Sequence, residues 1–588
     1  MKPPRPALPD LVFALWAGLI AIVFSDRVVN GDGDPARHIR LGQTMIEDRS
    51  LLRTDTFSWP AAGTDFLAFE WGSEIAFAAA YRLGGLPAVG AVAGGVLALS
   101  YALLCRFLLR QNVEPALAYG ATTAATIMTA PHWLARPHIF TFLGVAVLLP
   151  LLEHGRWSRV WLAVPLFVVW ANVHGGFVFG LAVIGAYTVG DLVERRATAG
   201  PNAAMLGLGA IATLINPHGL DLHRHIASFF GLQTVLDVTD EFQRPDFTSW
   251  TGIVMLLGIA IVAAAFVKSD RRPRVAHLLL IAMLLVFSFQ AQRNLALFGF
   301  VALPLAAMQY SPALADRPVG SIRASFRRDH ERGRTGPWAI AATVLLALIA
   351  ATSGQPLGLP IVSQDFDADT FPVAAVSAAR SAELEGRIFN SLMWGGYLLL
   401  EWPEQAVYID GGTDHYGDPH VAELVAVLGQ ERGWQQTVSD RQIDLVLLPP
   451  MRAGRSGTAM SSPRSPCGPA TKFRRTRIRR PTGLRCVRPR HPQATLRRAN
   501  WPVLPTTDPV AAYRSARGCE RLRSCTAISG PTRPINSLWS DSPTVVSPTY
   551  AEANAPSSLR SVQQYAMFWP PSPQSAFVQG RSVFDPSS

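Results

Sequence analysis

Apolar runs recur from residue 8 to residue 352 with short charged connections between them, and they limit what this chain can fold into more than any other feature. They lie near 8–25, 86–105, 115–131, 137–152, 160–173, 175–192, 203–217, 251–267, 275–290, 294–310 and 337–352. Inside hydrocarbon every backbone polar group needs an internal partner, and an α-helix provides one for each. The pattern therefore predicts an all-α polytopic membrane protein with about eleven transmembrane helices in residues 1–352. Composition agrees: 49% apolar and 16% charged, with a mean hydropathy of +0.20, against roughly 25% charged in an ordinary soluble domain. The first run follows Lys2 and Arg5, as a signal peptide does. It lacks a small-residue cleavage site and reads as a retained helix.

A net charge of +11 invites a nucleic-acid reading, and its location removes that reading. Residues 451–588 hold 21 of the 53 Lys and Arg but only 5 of the 42 Asp and Glu. The body of the chain is mildly acidic. That tail also carries 18 of the 45 prolines and almost no apolar periodicity, so it cannot bury enough surface to offset its chain entropy. It reads as a low-complexity tail, either disordered or the product of a shifted reading frame in a GC-rich gene. Cys105 sits in an apolar run, and Cys467, Cys486, Cys519 and Cys525 lack metal-site spacing.

Lys and Arg concentrate in alternate loops, at Arg106 and Arg110, Arg156 and Arg159, Arg195 and Arg196, 268–274 and 317–334. By the positive-inside rule these are cytoplasmic, with the N-terminus inside. An inner-membrane, multi-pass protein follows, with long external segments at 26–85, at 218–250 and after 352. Within the first, Arg37–Asp48 reads as an interfacial helix with Ile39, Met45 and Ile46 on one face. Residues 353–450 read as a small extracytoplasmic α/β domain. Its expected strands are Tyr397–Leu400, Ala406–Ile409 and Leu445–Leu448, and its expected helices lie near Val373–Ala382 and His420–Leu428.

The chemistry-bearing residues fall mostly on the external side. Asp32 and Asp34 flank a glycine just after the first run. Two such carboxylates can share a hard divalent cation, Mg or Mn, or one can act as base while the other orients it. Arg136 and His138 offer a permanently charged fork and a second donor for phosphate. Glu70 and Glu74 are i,i+4 neighbours. Asn172 with His174, and Asn216 with His218, sit beside Gly and Pro and suit helix caps or bridges. Arg293 stands at a membrane boundary. The centres of the runs are nearly free of charge, which weighs against transport.

The stretch from Asp32 to Pro60, DGDPARHIRLGQTMIEDRSLLRTDTFSWP, resembles the first external loop of the oligosaccharyltransferase catalytic subunit. The layout is similar to that of the C-type (GT-C) integral-membrane glycosyltransferases. Ser391-Leu-Met-Trp394-Gly-Gly-Tyr397 and Tyr408-Ile-Asp410-Gly-Gly-Thr-Asp414 resemble the start of that family's soluble domain, where a WWDYG motif reads the acceptor sequon. Here Gly395 and Gly396 replace the acidic residue, and Arg136 and His138 stand where a second acidic pair is expected. The first departure argues against protein N-glycosylation; the second resembles bacterial relatives that move a single sugar from a polyprenyl-phosphate carrier. The resemblance implies Asp34, or Asp32, as base or metal ligand, with Arg136 and His138 holding the lipid phosphate. It places Trp394, Tyr397, Asp410 and Asp414 around the acceptor, a glycan, lipid or protein. The expected function is inverting transfer of a sugar from a polyprenyl-phosphate carrier to an acceptor hydroxyl. A transporter or flippase of lipid-linked glycan, or a non-catalytic scaffold, competes with it.

Overall fold

A computed structural model describes residues 6–229, 231–314, 320–333, 336–355, 361–362, 364–449 and 495–498. The tail, whether disordered or frame-shifted, lies outside the described residues except for its four-residue strand at 495–498.

Each apolar run is helical. Helix α1 (Leu8–Gly18) continues through a π turn at Leu19–Val23 into α2 (Ser25–Asn30), and the first long connection then supplies α3 (Asp34–Asp48). The bundle continues with α4 (Trp71–Arg110), α5 (Pro115–Thr129), α6 (Ile139–His154), α7 (Ala163–Val173), α8 (Phe177–Val193) and α9 (Ala199–Ala212). A second long connection carries α10 (Leu220–Phe229) and α11 (Gln233–Val238). Next come α12 (Trp250–Val267), α13 (Val275–Gln290), α14 (Leu295–Tyr310), α15 (Ser321–Arg332) and α16 (Pro337–Ala351). Among the described residues three helical stretches are long and apolar enough to cross a membrane: Trp71–Arg110, Trp250–Val267 and Gln292–Leu314. Six shorter ones are equally apolar. Ile253, Leu256, Leu257 and Ile261 on α12, with Leu278, Leu279 and Val286 on α13, are exposed; a contiguous apolar exterior of this kind suits lipid rather than water. Gly85, at φ +66°, breaks α4, and a Cβ on its neighbour Gly84 would fall on the Ala350 carbonyl of α16.

The C-terminal segment is α17 (Val373–Ser381), β1 (Ile388–Asn390), α18 (Leu392–Glu401), α19 (Thr413–Leu428), α20 (Trp434–Asp440) and β2 (Leu445–Leu448). Strand β1 pairs with β2 in parallel, Ile388 opposite Leu445, and β3 (Thr495–Arg498) pairs antiparallel to β2. Two expected strands are corrected. Tyr397–Leu400 lies inside α18, and Ala406–Ile409 contributes a single bridge, Ser58 to Val407. A four-residue apolar run buried on all sides has no period to tell helix from strand.

Helix α3 also departs from the interfacial reading. It is packed between α4 and α18, with His38, Ile39 and Leu41 buried. The C-terminal segment shares its cores with both long connections. One core joins Leu41, Met45 and Phe57 to Phe371, Trp394 and Leu445. Another joins Val235 to Phe389, Tyr408 and Val421. The segment therefore caps one end of the bundle through apolar packing, the dominant favourable contribution to such an interface.

Candidate active site

A cluster of charged side chains from the ends of several helices lies under this cap. The turn before α3 places Asp32 and Asp34 together, the Asp34 N–H donating to Asp32 Oδ1 at 3.0 Å. Opposite them Arg136 is held on a pinned backbone: the Ala135 N–H donates to the Val28 carbonyl at 2.8 Å, and the Arg136 N–H to Leu134 at 2.8 Å. Its guanidinium meets Asp32 Oδ2 at 3.1 Å and Asp34 Oδ2 at 2.7 Å. Glu241, in the second long connection, lies 3.7 Å from Arg136 and 3.6 Å from Arg293. The Arg293 guanidinium covers the Phe242 ring at 4.5 Å, a favourable cation–π position.

These charges tune one another. Burial pushes the Asp32 carboxyl up, Arg136 opposes it and Asp34 adds to it, leaving it at about 6. Burial works against the Arg136 charge, but Asp34 and Asp32 overcome it and raise the group further. Burial would raise Glu241; Arg293 and then Arg136 hold it well below the usual carboxylate range instead. Burial, reinforced by Glu74, raises Glu70 well above that range. Low local dielectric and specific partners are the two causes at work throughout.

Burial favours the neutral form of three histidines beside the cluster. Burial, with Arg293 and Arg136 behind it, lowers His174 to about 3. Burial also lowers His132 to about 4 and His138 well below its ordinary value. His174 Nδ1 accepts the Gly176 N–H at 3.0 Å and lies 2.7 Å from Thr141 Oγ1. Its proton is therefore on Nε2, which faces Glu70 at 3.6 Å. His138 is corrected as a phosphate donor: its Nε2–H donates to the His132 carbonyl at 2.8 Å. A neutral imidazole has one N–H, and this one is spent on the loop.

The residues expected around an acceptor take other positions. Trp394 is buried and donates its indole N–H to the Thr370 carbonyl at 2.9 Å. Tyr397 is buried against Phe366 and Phe371. Asp410 accepts from Arg37 Nε at 2.8 Å, the Gly412 N–H at 2.7 Å and the Tyr416 hydroxyl at 3.0 Å. Asp414 pairs with His225 at 2.8 Å; burial would raise its carboxyl, but the His225 hydrogen bond and charge hold it below the usual range. These four tie the cap to α3 and α10 through packing and paired charge, which corrects the acceptor-facing reading. The glycine pairs have a matching purpose. A Cβ on Gly396 would strike the Gly33 carbonyl and Arg37, and one on Gly411 would strike Asp34 Oδ1. The caps expected at Asn172 and Asn216 are present: Asn172 donates to Val168 and Ile215, Asn216 to Thr213 and Gly219.

Asp32, Asp34, Arg136 and Arg293 thus converge, with Glu70 and His174 behind them. Glu241 was missed, since only its place in a long connection marked it. A divalent cation held by Asp32 and Asp34 does not fit this arrangement, because the Arg136 guanidinium lies against both carboxylates. Among the described residues no group of three His, Cys, Asp or Glu is arranged to hold a metal ion.

No protein-family model matches the chain, and no curated protein matches it. Among solved structures it is similar to the archaeal oligosaccharyltransferase AglB from Archaeoglobus fulgidus, in complex with an inhibitory peptide and a dolichol-phosphate. The identity is 13% and the TM-score 0.50, over 75% of this chain and 69% of that one. The apo form of the Archaeoglobus fulgidus oligosaccharyltransferase aligns over the same shares at 13% identity and a TM-score of 0.46. At this identity the likeness is one of fold.

Proposed function

We propose that this chain is a multi-pass inner-membrane glycosyltransferase that moves a sugar from a polyprenyl-phosphate carrier to an acceptor hydroxyl, with inversion. The cluster and its cap face the extracytoplasmic side, and about eleven helices cross the bilayer. One observation carries the reading: Asp32, Asp34 and Glu241 meet Arg136 and Arg293, from distant parts of the sequence, in one partly exposed charged cluster at the ends of the helices. The Asp34 carboxylate takes the proton of the acceptor hydroxyl as that oxygen bonds to the anomeric carbon. The bond from that carbon to the carrier phosphate breaks, and its electron pair leaves with the phosphate. Arg136 and Arg293 offset the charge that develops there.

The test uses purified protein in lipid with radiolabelled polyprenyl-phosphate sugars. Asp34→Asn should lower transfer by about 10²- to 10⁴-fold, the usual contribution of a general base, while membrane insertion is unchanged. Transfer at the wild-type rate by the variant would refute the role of Asp34. Substrate movement across the bilayer without bond cleavage would favour transport.

A further inference from the structure

Three carboxylates converge on one guanidinium beneath the cap. Asp32 Oδ2 and Asp34 Oδ2 meet separate terminal nitrogens of Arg136, at 3.1 and 2.7 Å, and Glu241 Oε1 stands 3.7 Å from the second nitrogen. Carboxylate oxygens from the Asp32–Asp34 turn and from the second long connection thus face one positive centre, the charge pattern that oxygen ligands present to a hard divalent cation at 2.0–2.6 Å, here around a guanidinium instead. We infer that Arg136 occupies the cation position of the Asp32–Asp34–Glu241 cluster, so that this site meets a phosphate-bearing donor with a fixed organic cation in place of a resident divalent metal. The inference rests on the transferase reading for its substrate, though not for its geometry.

Three features support it. First, the guanidinium is set in advance. The Ala135 N–H is bonded to Val28, and Ile139, at the first turn of α6, donates to the Arg136 carbonyl at 3.2 Å. Second, a guanidinium keeps its charge at every physiological pH and presents donors in a planar fork suited to carboxylate and phosphate. Third, the cluster is reachable: 23% of the Arg136 side chain is exposed, against 25% for Asp32 and 27% for Glu241. Arg293 holds the far side of Glu241, and Arg27 and Arg37 also act on Asp32 and Asp34.

The test reads metal rather than sugar. Full-length protein in lipid nanodiscs, stripped with chelator, is titrated with Mn²⁺ and followed by electron paramagnetic resonance and calorimetry. The wild type should show no saturable uptake, and chelator should leave its melting temperature unchanged. Arg136→Ala should gain about one Mn²⁺ per chain, bound at least about tenfold tighter than by the wild type, because removing the guanidinium frees carboxylate oxygens of the kind that bind hard cations. R136A/D34N should lose that gain, and R136K should stay metal-free. Stoichiometric Mn²⁺ binding by the wild type that D34N removes would overturn the inference, as would a folded R136A that gains none. If R136A does not fold, the wild-type titration decides alone. Absence of sugar transfer would defeat the transferase reading without touching this result.

Discussion

Two arginine–carboxylate clusters stand at opposite ends of α6, about 22 Å apart along its axis at 1.5 Å per residue, and they are built to opposite specifications. At one end Glu153 accepts from Arg274 at 2.5 Å, His277 at 2.6 Å and Tyr187 at 2.7 Å. Arg274 also donates to Asp191 at 2.7 Å, and Asn202 and Thr198 complete that carboxylate. Asp191 is 0% exposed and Glu153 6%. At the other end the Arg136 cluster has longer contacts, a quarter-exposed Asp32 and a quarter-exposed Glu241. The closed cluster clamps α6, α8, α9 and α13 together. The open one keeps charge accessible, and charge of that kind is useful to a substrate rather than to the fold.

The sharpest way to break this contrast is to remove each arginine in turn. Arg274→Met leaves Glu153 and Asp191 buried without their cation, and should destabilise the protein by about 3–5 kcal/mol. Arg136→Met removes charged hydrogen bonds that are only partly exposed and should cost less, about 1.5–3 kcal/mol, while abolishing transfer. Unfolding in nanodiscs, paired with transfer assays on the surviving folded fraction, measures both. Equal destabilisation by the two substitutions would end the distinction.

A smaller effect tests how the cap is joined to the cluster. A methyl group at Gly411 falls on Asp34 Oδ1, and displacing a catalytic group by about 1 Å can cost about 10²-fold in rate. Gly411→Ala should therefore lower transfer by about that factor with little change in melting temperature. At Gly429, whose added Cβ meets only Val425 and Glu431, the same change should leave transfer unaltered.

Sequence and structure agree best where chemistry is local. The apolar runs are helices, the structure that satisfies every backbone polar group within one segment, and Asp32, Asp34, Arg136 and Arg293 each lie near the end of a run. Glu241 was not legible, because nothing in its spacing links residue 241 to residue 136 across the chain. Trp394, Tyr397, Asp410 and Asp414 show the converse. Their motif was visible, but whether an aromatic or a carboxylate faces a substrate or a neighbouring helix depends on packing that no local pattern encodes. The glycines beside them were the better clue, because a Gly-Gly pair marks close backbone approach.

The smallest expected effect separates the two clusters by pH. Asp32 titrates near 6 in the folded protein, against about 3.9 for a free aspartate. Between those values the folded chain keeps a proton that the unfolded chain has lost, so the contribution of Asp32 to stability is full below about pH 4 and disappears as pH rises through about 6. Activity should run the other way. Ionised Asp32 is needed to pair with Arg136 and keep Asp34 aligned, so transfer should fall about tenfold between pH 7 and pH 5. His132 and His174, at about 4 and 3, stay neutral over that window and add nothing to the limb. Asp32→Asn should remove both the acid limb in the pH–rate profile and the matching change in melting temperature. A limb that persists in this variant would assign the titration to another group and leave the open cluster without its pH signature.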